Sequence, residues 1–279
     1  MKSLKIKAPA KVNFTLDVTQ GENGYHDINS LVNTISLFDV IKVKKRKDDK
    51  ITLKCKGVNP ECELQNNNAY KTAKEFINEF NVGGVDITLK KSIPVGGGLG
   101  GSSADVAGVL GALKGLYAID KDLSYIANKL GSDTAYMMQG GWAVIQGRGE
   151  IVTPVNAKKK FYLVALTCDS GVSAGMFYKK FDQLGLTTEP STAIAVDSLI
   201  KGDLASFYSS LKNDLYIPAK SFTSEIENNL EFLQNFAPAI MTGSGSVTVA
   251  LFTDEKLRNK AYKKLRKIYG KKVLKANTL

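Results

Sequence analysis

The feature that most constrains this chain is a glycine-rich run about a third of the way along it. Residues 94–105 read PVGGGLGGSSAD, and five of the six positions 96–101 are glycine. Apolar residues then recur at helical spacing, at Val106, Val109, Leu110 and Leu113. A glycine loop that leads into a helix N-terminus is typical of an anion site, because unpaired N–H groups and the helix dipole both point at the ligand. We expect a phosphate there.

Two standard nucleotide patterns fit this run poorly. Gly96, Gly98 and Gly101 satisfy G-x-G-x-x-G, but the acidic residues about 20 positions further on follow what reads as a helix end. Ser102 stands where the P-loop pattern requires lysine. A glycine-rich turn without a ligand is the alternative, yet five ordered glycines carry a large entropic cost for a turn alone. Phosphate binding is therefore favoured.

Composition favours a cytosolic protein in a reducing compartment. The chain has 279 residues with 43% hydrophobic content, enough for one large domain or two ordinary ones. No apolar run reaches membrane-spanning length, and the first residues lack a signal-peptide pattern. Three cysteines, Cys55, Cys62 and Cys168, show no metal-binding spacing. A single histidine, His26, excludes any site that needs several imidazoles.

The formal net charge of +11 raises the alternative of a nucleic-acid-binding protein. Much of the charge lies in the segments 42–50 and 258–275. The second is predicted to be a helix with a buried stripe of Leu257, Ala261, Leu265 and Ile268, which leaves its lysines in solvent. Aromatic residues that could stack on bases are not interleaved with the basic ones. The charge therefore discriminates little between functions.

Helical and strand patterns are mixed without strict alternation, which predicts an α+β fold. Strands are predicted at 4–20 with a break at Ala8–Ala10, and at 30–38, 39–46, 50–56, 85–91, 142–145, 150–154, 161–167, 238–242 and 247–252. Helices are predicted at 68–80, after the glycine loop, and at 122–131, 173–184, 191–200, 203–213 and 222–235, with a last helix and strand at the end. Residues 155–160 are the predicted domain boundary.

Three separated segments, taken together, resemble the superfamily of galactokinase, homoserine kinase, mevalonate kinase and phosphomevalonate kinase. They are APAKVN at 8–13, the glycine run at 94–105, and MTGSGS at 241–246. The segments NGYHDI at 23–28 and LGSD at 130–133 are closer still to the 4-diphosphocytidyl-2-C-methyl-D-erythritol kinases. Smaller similarities at GRGE (147–150), PST (190–192) and NDL (213–215) extend the resemblance over nearly the whole chain.

This resemblance implies a two-domain α+β kinase with its active site in the cleft between the domains. Residues 1–156 would form the ATP-binding and catalytic domain and residues 157–279 a smaller substrate-supporting domain. The implied reaction transfers the γ-phosphoryl group of ATP, with Mg²⁺, to a hydroxyl of a diphosphocytidyl sugar alcohol in non-mevalonate isoprenoid biosynthesis. The implied catalytic residues are Asp133, which takes the proton of that hydroxyl, and Lys11, which keeps Asp133 ionised. In isolation Asp133 would be a helix N-cap and Lys11 a solvated lysine.

The resemblance also implies an ATP site built on the glycine loop, whose N–H groups cradle the phosphates. Relatives commonly carry glycine at 102 and serine at 104, so which of Ser102 and Ser103 meets Mg²⁺ stays open. Asn68 matches an adenine contact, although the three asparagines at 66–68 could equally cap a helix. The candidate ATP-binding residues are Asn68, Lys91, Pro94, Gly96, Gly97, Gly98, Leu99, Gly100, Gly101, Ser102 and Ser103.

For the substrate, the resemblance implies that Tyr25 stacks on the cytosine ring and that His26 reads its edge. Tyr178 would be a second stacking ring, and an ordinary helix aromatic is the alternative for it. Asn13 would contact the sugar alcohol or cytidine side, and Gly243 and Ser244 complete the candidate substrate-binding set. The expected partner is a small molecule that carries cytidine diphosphate, with no nucleic acid or membrane. The expected state is a monomer or weak homodimer. A homoserine or mevalonate kinase of the same superfamily is the alternative.

Overall fold

The computed structural model describes residues 1–21, 25–58, 63–169, 174–187 and 189–279, and the predicted α+β class is confirmed. Cys62, the first two residues of the 23–28 segment, and residues 170–173, where the predicted helix 173–184 begins, lie outside the described residues. The strands are β1 (Ser3–Asn13), β2 (Thr15–Gln20), β3 (His26–Lys45), β4 (Ile51–Gly57), β5 (Val85–Lys91), β6 (Ala143–Gly147), β7 (Ile151–Pro154), β8 (Tyr162–Leu166), β9 (Lys212–Asn213), β10 (Ala239–Met241), β11 (Thr248–Phe252) and β12 (Val273–Asn277). The helices are α1 (Asn68–Phe80), α2 (Gly101–Tyr117), α3 (Ser124–Leu130), α4 (Thr134–Gln139), α5 (Ala174–Leu184), α6 (Thr192–Lys201), α7 (Leu204–Ser209), α8 (Tyr216–Lys220), α9 (Ser224–Gln234) and α10 (Glu255–Tyr269).

The chain forms two compact units, and neither is a single stretch of sequence. Unit 1 comprises Met1–Ala10, Leu37–Val95 and Gly100–Gly140, and unit 2 comprises Lys11–Ser36, Gly96–Leu99 and Gly141–Leu279. The domain boundary at residue 156 stays a prediction. In the described part of the chain, no helix is long and apolar enough to cross a membrane.

In unit 1, helices pack on a three-strand segment formed by β4, β5 and the second half of β3. β5 pairs in parallel with β4 and antiparallel with β3 in the register Val40↔Lys90 to Lys45↔Val85. Alternate residues on these strands, such as Ile41 and Ile87, are buried. A Cβ at Gly108 would lie 2.4 Å from Cδ1 of Ile41, so glycine lets α2 approach the sheet without moving the Ile41 side chain. This packing fixes the position of α2, which the glycine loop leads into.

In unit 2, an antiparallel sheet of order β10-β11-β8-β12 is covered by α9 and α10. A buried aromatic group, in which the Phe161 and Phe207 rings stack at 5.2 Å, fills the interior beside it with Phe14 and Trp142. A separate apolar cluster joins β2 to α5, α8 and α9 through Leu16, Phe177, Phe181, Leu215 and Ile226.

Buried aspartates tie β2 to the segments that follow it in unit 2. Asp17 accepts hydrogen bonds at 2.9 Å from the N–H and hydroxyl of Ser191 and from the N–H of Thr192, at the start of α6. Asp214 accepts from the Val18 N–H at 2.9 Å and lies 3.0 Å from Lys212 Nζ. The PST and NDL segments, singled out in the sequence by resemblance, are therefore places where β2 is anchored.

The structure corrects four predicted elements. β1 runs through the predicted break at Ala8–Ala10, because β3 is its strand neighbour in the described sheet and an edge strand tolerates a proline. The predicted strands 30–38 and 39–46 are the single strand β3, whose neighbours change along its length from β2 and β6 to β5. The predicted helix 203–213 ends at Ser209, because Lys212 and Asn213 pair with β2 instead, and the short α8 was not predicted.

The buried stripe predicted for the last helix is also wrong in part. Leu257 and Ile268 of α10 are 60% and 58% exposed, whereas Arg258 is only 3% exposed. The Arg258 guanidinium donates to the Ala276 carbonyl at 2.8 Å and to Asn277 Oδ1 at 3.0 Å. The guanidinium donors of Arg258 have matching acceptors on β12, and this pairing decides which face of α10 is buried more than the hydrophobicity of Leu257 and Ile268 does.

Replacing Asp17 with alanine is expected to lower the free energy of unfolding by about 2–4 kcal/mol, because three donors at the start of α6 lose a charged acceptor. Chemical denaturation measures the effect. The matched control is Asp197→Ala on the exposed face of α6, which is expected to change stability by less than about 0.5 kcal/mol. Equal, small losses in both variants would contradict the anchoring role.

Candidate active site

In unit 2, the backbones of the glycine loop and of the 241–246 turn are in close contact. Gly98 has φ 73°, and a Cβ there would lie 2.2 Å from the Thr242 carbonyl oxygen. Gly243 has φ 57°, and its Cβ would lie 2.5 Å from the Gly98 carbonyl oxygen. Both the left-handed backbone and the close approach require glycine at the two positions. Two of the three motifs predicted from the sequence are therefore in direct contact.

The first motif joins the other two through Lys11 and Asn13. The Lys11 N–H donates to the Leu99 carbonyl at 3.0 Å, and the Asn13 N–H donates to Thr242 Oγ1 at 2.8 Å. Lys11 is only 4% exposed, and its Nζ donates to Asn13 Oδ1 at 2.5 Å. The other end of the Asn13 amide donates to Ser30 Oγ at 2.7 Å. Asn13 is thus held at both ends and orients Lys11, while its substrate contact stays a prediction.

A buried asparagine holds the 241–246 turn from the other side. Asn213 donates through its Nδ2 to the carbonyls of Met241 and Gly243, both at 2.8 Å. Its Oδ1 accepts from the Leu215 N–H at 2.9 Å. The turn is therefore fixed by β9 and the glycine loop, and the substrate contacts expected of Gly243 and the half-buried Ser244 stay predictions.

In unit 1, the glycine loop opens into the N-terminus of α2 as expected. Gly100 is the N-cap residue, with φ 70°, and no side chain caps the helix. The first-turn N–H groups of a helix have no partner within the helix, so these donors suit an anion.

Neighbouring side chains line the start of α2. Asn67, not Asn68, caps α1 by accepting from the Ala69 N–H at 2.9 Å. The Asn68 side chain instead donates to Ser102 Oγ at 2.7 Å. The asparagine run therefore does cap a helix, through Asn67 and not through Asn68, and the adenine contact of Asn68 stays a prediction.

Asp133 lies on a turn that adjoins this helix start within unit 1. Ser103 Oγ would be 3.1 Å from a Cβ at Gly131, two residues before Asp133. Asp133 is the N-cap residue of α4, yet its side chain makes no capping hydrogen bond. The simple capping alternative therefore does not account for the carboxylate.

A buried ionic network brackets the glycine loop in unit 1. Lys91 Nζ lies 2.5 Å from Asp39 Oδ2 and 2.6 Å from Asp105 Oδ2. The other Asp39 oxygen accepts from the N–H groups of Ser92 and Ile93, at 2.5 and 2.9 Å. The end of β5 is thereby tied to the first turns of α2. Sequence reasoning missed Asp39, whose one signal is an isolated acid in the apolar stretch 35–43.

The charges of this network do not balance, because two carboxylates share one ammonium group. Burial, and to a smaller extent the neighbouring Asp39 carboxylate, raise the pKa of Asp105 to about 7 against the opposing effect of Lys91. Burial works against the charge of Lys91, but the two carboxylates outweigh it and hold its pKa above the ordinary value. The predicted ATP contact of Lys91 stays a prediction, and its structural partners are the two acids.

At the predicted base site in unit 2, His26 and Tyr178 come together. Their ring centroids are 4.9 Å apart at 31°, and the Phe181 ring meets the imidazole edge-on at 6.0 Å. His26 Nε2 lies 2.7 Å from Asp182 Oδ1. The Tyr25 ring is 54% exposed, and the Arg148 guanidinium lies 3.7 Å from its centroid. Sequence reasoning did not identify Asp182 or a role for Arg148.

Comparison with known proteins places these segments in context. The family GHMP kinases N terminal domain matches residues 67–144, and GHMP kinases C terminal matches residues 195–271. The chain is 34% identical to 4-diphosphocytidyl-2-C-methyl-D-erythritol kinase of Clostridium beijerinckii over 274 residues, 95% of this chain and 97% of that protein. A crystal structure of 4-(cytidine 5'-diphospho)-2C-methyl-D-erythritol kinase superposes with a TM-score of 0.84 at 27% identity, covering 98% of each chain. L. major mevalonate kinase shares the fold, with a TM-score of 0.76 at 16% identity over 99% of this chain and 95% of that one.

Alanine at Gly98 is expected to lower kcat/KM with ATP by about 10²-fold, because the new Cβ would push the loop off the 241–246 turn. Gly202→Ala, at the end of α6, is the matched control: its φ is 76°, but a Cβ there meets nothing within 4 Å. It is expected to cost only the left-handed strain, about 1–2 kcal/mol of stability. Steady-state kinetics and thermal unfolding separate the two, and equal kinetics in both would contradict the close-contact explanation.

Asp105 is expected to make stability fall as pH rises between its ordinary pKa of 3.8 and about 7, because the native state holds that proton more tightly than the unfolded chain. Asp105→Asn should flatten this slope, measured by denaturation between about pH 4.5 and about pH 8, which covers most of that range and about one unit above it, without nucleotide or divalent cations. The exposed Asp49→Asn is the control. A slope in Asp105→Asn as steep as in the unmutated protein would contradict the assignment.

Proposed function

Because the chain belongs to the GHMP kinases, and among them to the 4-diphosphocytidyl-2-C-methyl-D-erythritol kinase family, we propose that it transfers the γ-phosphoryl group of ATP to a hydroxyl of that diphosphocytidyl sugar alcohol. The product is the 2-phosphate, within isoprenoid precursor biosynthesis, and the reaction takes place in the cytoplasm. The observation that carries the reaction type is the glycine loop that opens into an uncapped α2 beside the Asp133 turn.

Phosphoryl transfer depends mainly on positioning and on positive charge around the transferred group. The N–H groups at the start of α2 bind the phosphates, and the Gly98–Gly243 contact fixes the loop that presents them. The network of Lys91, Asp39 and Asp105 holds both ends of that loop in unit 1. Asn68 and Ser102, already hydrogen-bonded to each other, form the side of the nucleotide site next to α1.

Asp133 is the proposed general base. It stands on the turn that adjoins the start of α2, and its carboxylate takes the proton of the substrate hydroxyl as the new P–O bond forms and ADP leaves. Lys11 is the proposed cation of the reaction centre, where its charge keeps Asp133 ionised. Burial and the hydrogen bond to Asn13 Oδ1 restrict Lys11 to few rotamers, which suits a positioning role.

The side chains present suit Mg²⁺, which when bound neutralises charge on the phosphate oxygens. Hydroxyl and carboxylate oxygens are the donors this ion prefers, and Ser103 adjoins the turn that carries Asp133. Among the described residues, no cluster of three or more acidic, histidine or cysteine side chains could hold a metal. Ser102 or Ser103 is the proposed protein ligand, and phosphate oxygens would complete the shell.

A homoserine or mevalonate kinase of the same fold is the second candidate. The mevalonate kinase likeness, at 16% identity, speaks for the fold alone. The stacked pair of His26 and Tyr178 favours a substrate with a planar base, which homoserine and mevalonate lack.

The substrate is tested by ADP release with Mg-ATP and 4-diphosphocytidyl-methylerythritol, homoserine or mevalonate. Turnover with the cytidine compound alone is expected. Turnover with another alcohol would leave a kinase and overturn the cytidine substrate, whereas salt-dependent nucleic-acid binding without turnover would overturn the kinase.

Asp133→Asn is expected to lower kcat by about 10²–10⁴-fold through loss of the base, with substrate KM values little changed. The exposed Asp120→Asn in the same unit is the charge-matched control and is expected to keep full activity. A folded Asp133→Asn variant with near-normal kcat would remove Asp133 from the mechanism.

A further inference from the structure

Three side chains on one face of α5 contact the imidazole of His26. Tyr178, Phe181 and Asp182 stand at positions i, i+3 and i+4 of that helix, so their side chains project to the same side. They meet the imidazole by a tilted stack, an edge contact and a hydrogen-bond distance of 2.7 Å. The plane and the rotation of the ring are therefore both fixed from outside the β3 strand that carries it.

The partner of Nε2 decides where the imidazole carries its proton. An ionised carboxylate only accepts hydrogen bonds, so Nε2 must be the donor to Asp182 Oδ1. In a neutral imidazole the other nitrogen, Nδ1, then presents a lone pair. A lone pair at a fixed place favours a ligand that offers a hydrogen-bond donor there.

We propose that Asp182 is a positioning residue that sets the His26 tautomer and so makes this site select cytosine over uracil. Cytosine carries an amino donor at ring position 4, where uracil carries a carbonyl acceptor, so an acceptor at Nδ1 matches cytosine and repels uracil at that position. The inference rests on the proposed function, because it takes the base of the substrate to be read at His26. Asp182 itself acts only through the imidazole.

Nuclear magnetic resonance reads the tautomer directly, because His26 is the one histidine of the chain. In ¹⁵N-labelled protein without a histidine tag, long-range ¹H–¹⁵N spectra are expected to show the proton on Nε2. Asp182→Ala should shift the imidazole towards a mixture of tautomers. An Nδ1–H tautomer in the unmutated protein, or an unchanged tautomer in Asp182→Ala, would overturn the inference.

Calorimetric titration with CDP and with UDP measures the selectivity without any turnover. The unmutated protein is expected to prefer CDP. In Asp182→Ala, CDP binding should weaken about tenfold, the scale of one lost charge-assisted hydrogen bond, with UDP binding little changed. Asp182→Asn should keep most of the preference, because its amide oxygen still accepts from Nε2–H. The Asp182 side chain is 44% exposed and alanine suits a helix, so Asp182→Ala is expected to fold.

The exposed Asp197→Ala on α6 is the control for loss of a negative charge and should leave both dissociation constants unchanged. If the unmutated protein prefers CDP and Asp182→Ala prefers it equally, only this inference is overturned. If the unmutated protein shows no preference for CDP, both the cytidine substrate and the inference are overturned.

Discussion

The contact between Gly98 and Gly243 is the constraint on which the rest of the site depends. Two backbones meet at a distance that no side chain would allow, and both residues adopt a left-handed conformation to do so. The contact makes two segments that lie 145 positions apart in the sequence interdependent. Lys11 joins it through the Leu99 carbonyl, so the catalytic candidate and the glycine loop share one backbone framework.

In unit 1, charged side chains hold the segments on either side of the glycine loop. Where unit 2 fixes its share of the loop by close backbone packing, unit 1 uses Asp39, Lys91 and Asp105. A buried network of this kind is a costly way to hold a strand to a helix, because burial opposes each charge. It orients Asp39 so that one carboxylate serves two backbone N–H groups just before the loop, a task for which an apolar side chain has no acceptor.

Local pattern and long-range contact explain which parts of the molecule could be predicted. α1 and β5 have the predicted bounds, 68–80 and 85–91, because their periodicity and flanking turns are local signals. The prediction that Leu257 and Ile268 are buried is wrong, because Arg258 determines which face of α10 is buried. Its partner lies on β12, outside the helical segment from which the prediction was made.

The site shows the same limit. The glycine loop was predictable from its own residues. That His26 and Tyr178 belong to one base site was implied by the resemblance, which carries long-range information that one sequence lacks, but the contact between their rings was not predicted. The roles of Asp39 and Asp182 could not be predicted, because the sequence of a strand or helix does not show which distant group a single acidic side chain contacts.

Asn213 makes the 241–246 turn dependent on the chemistry of one side chain. Its amide donates twice, to the carbonyls of Met241 and Gly243, and accepts once from Leu215. Aspartate and leucine are close to asparagine in size, but a carboxylate only accepts hydrogen bonds and an alkyl group forms none. Support of the turn beneath the glycine loop therefore depends on an amide at position 213, just as the backbone contact above it depends on glycine at positions 98 and 243.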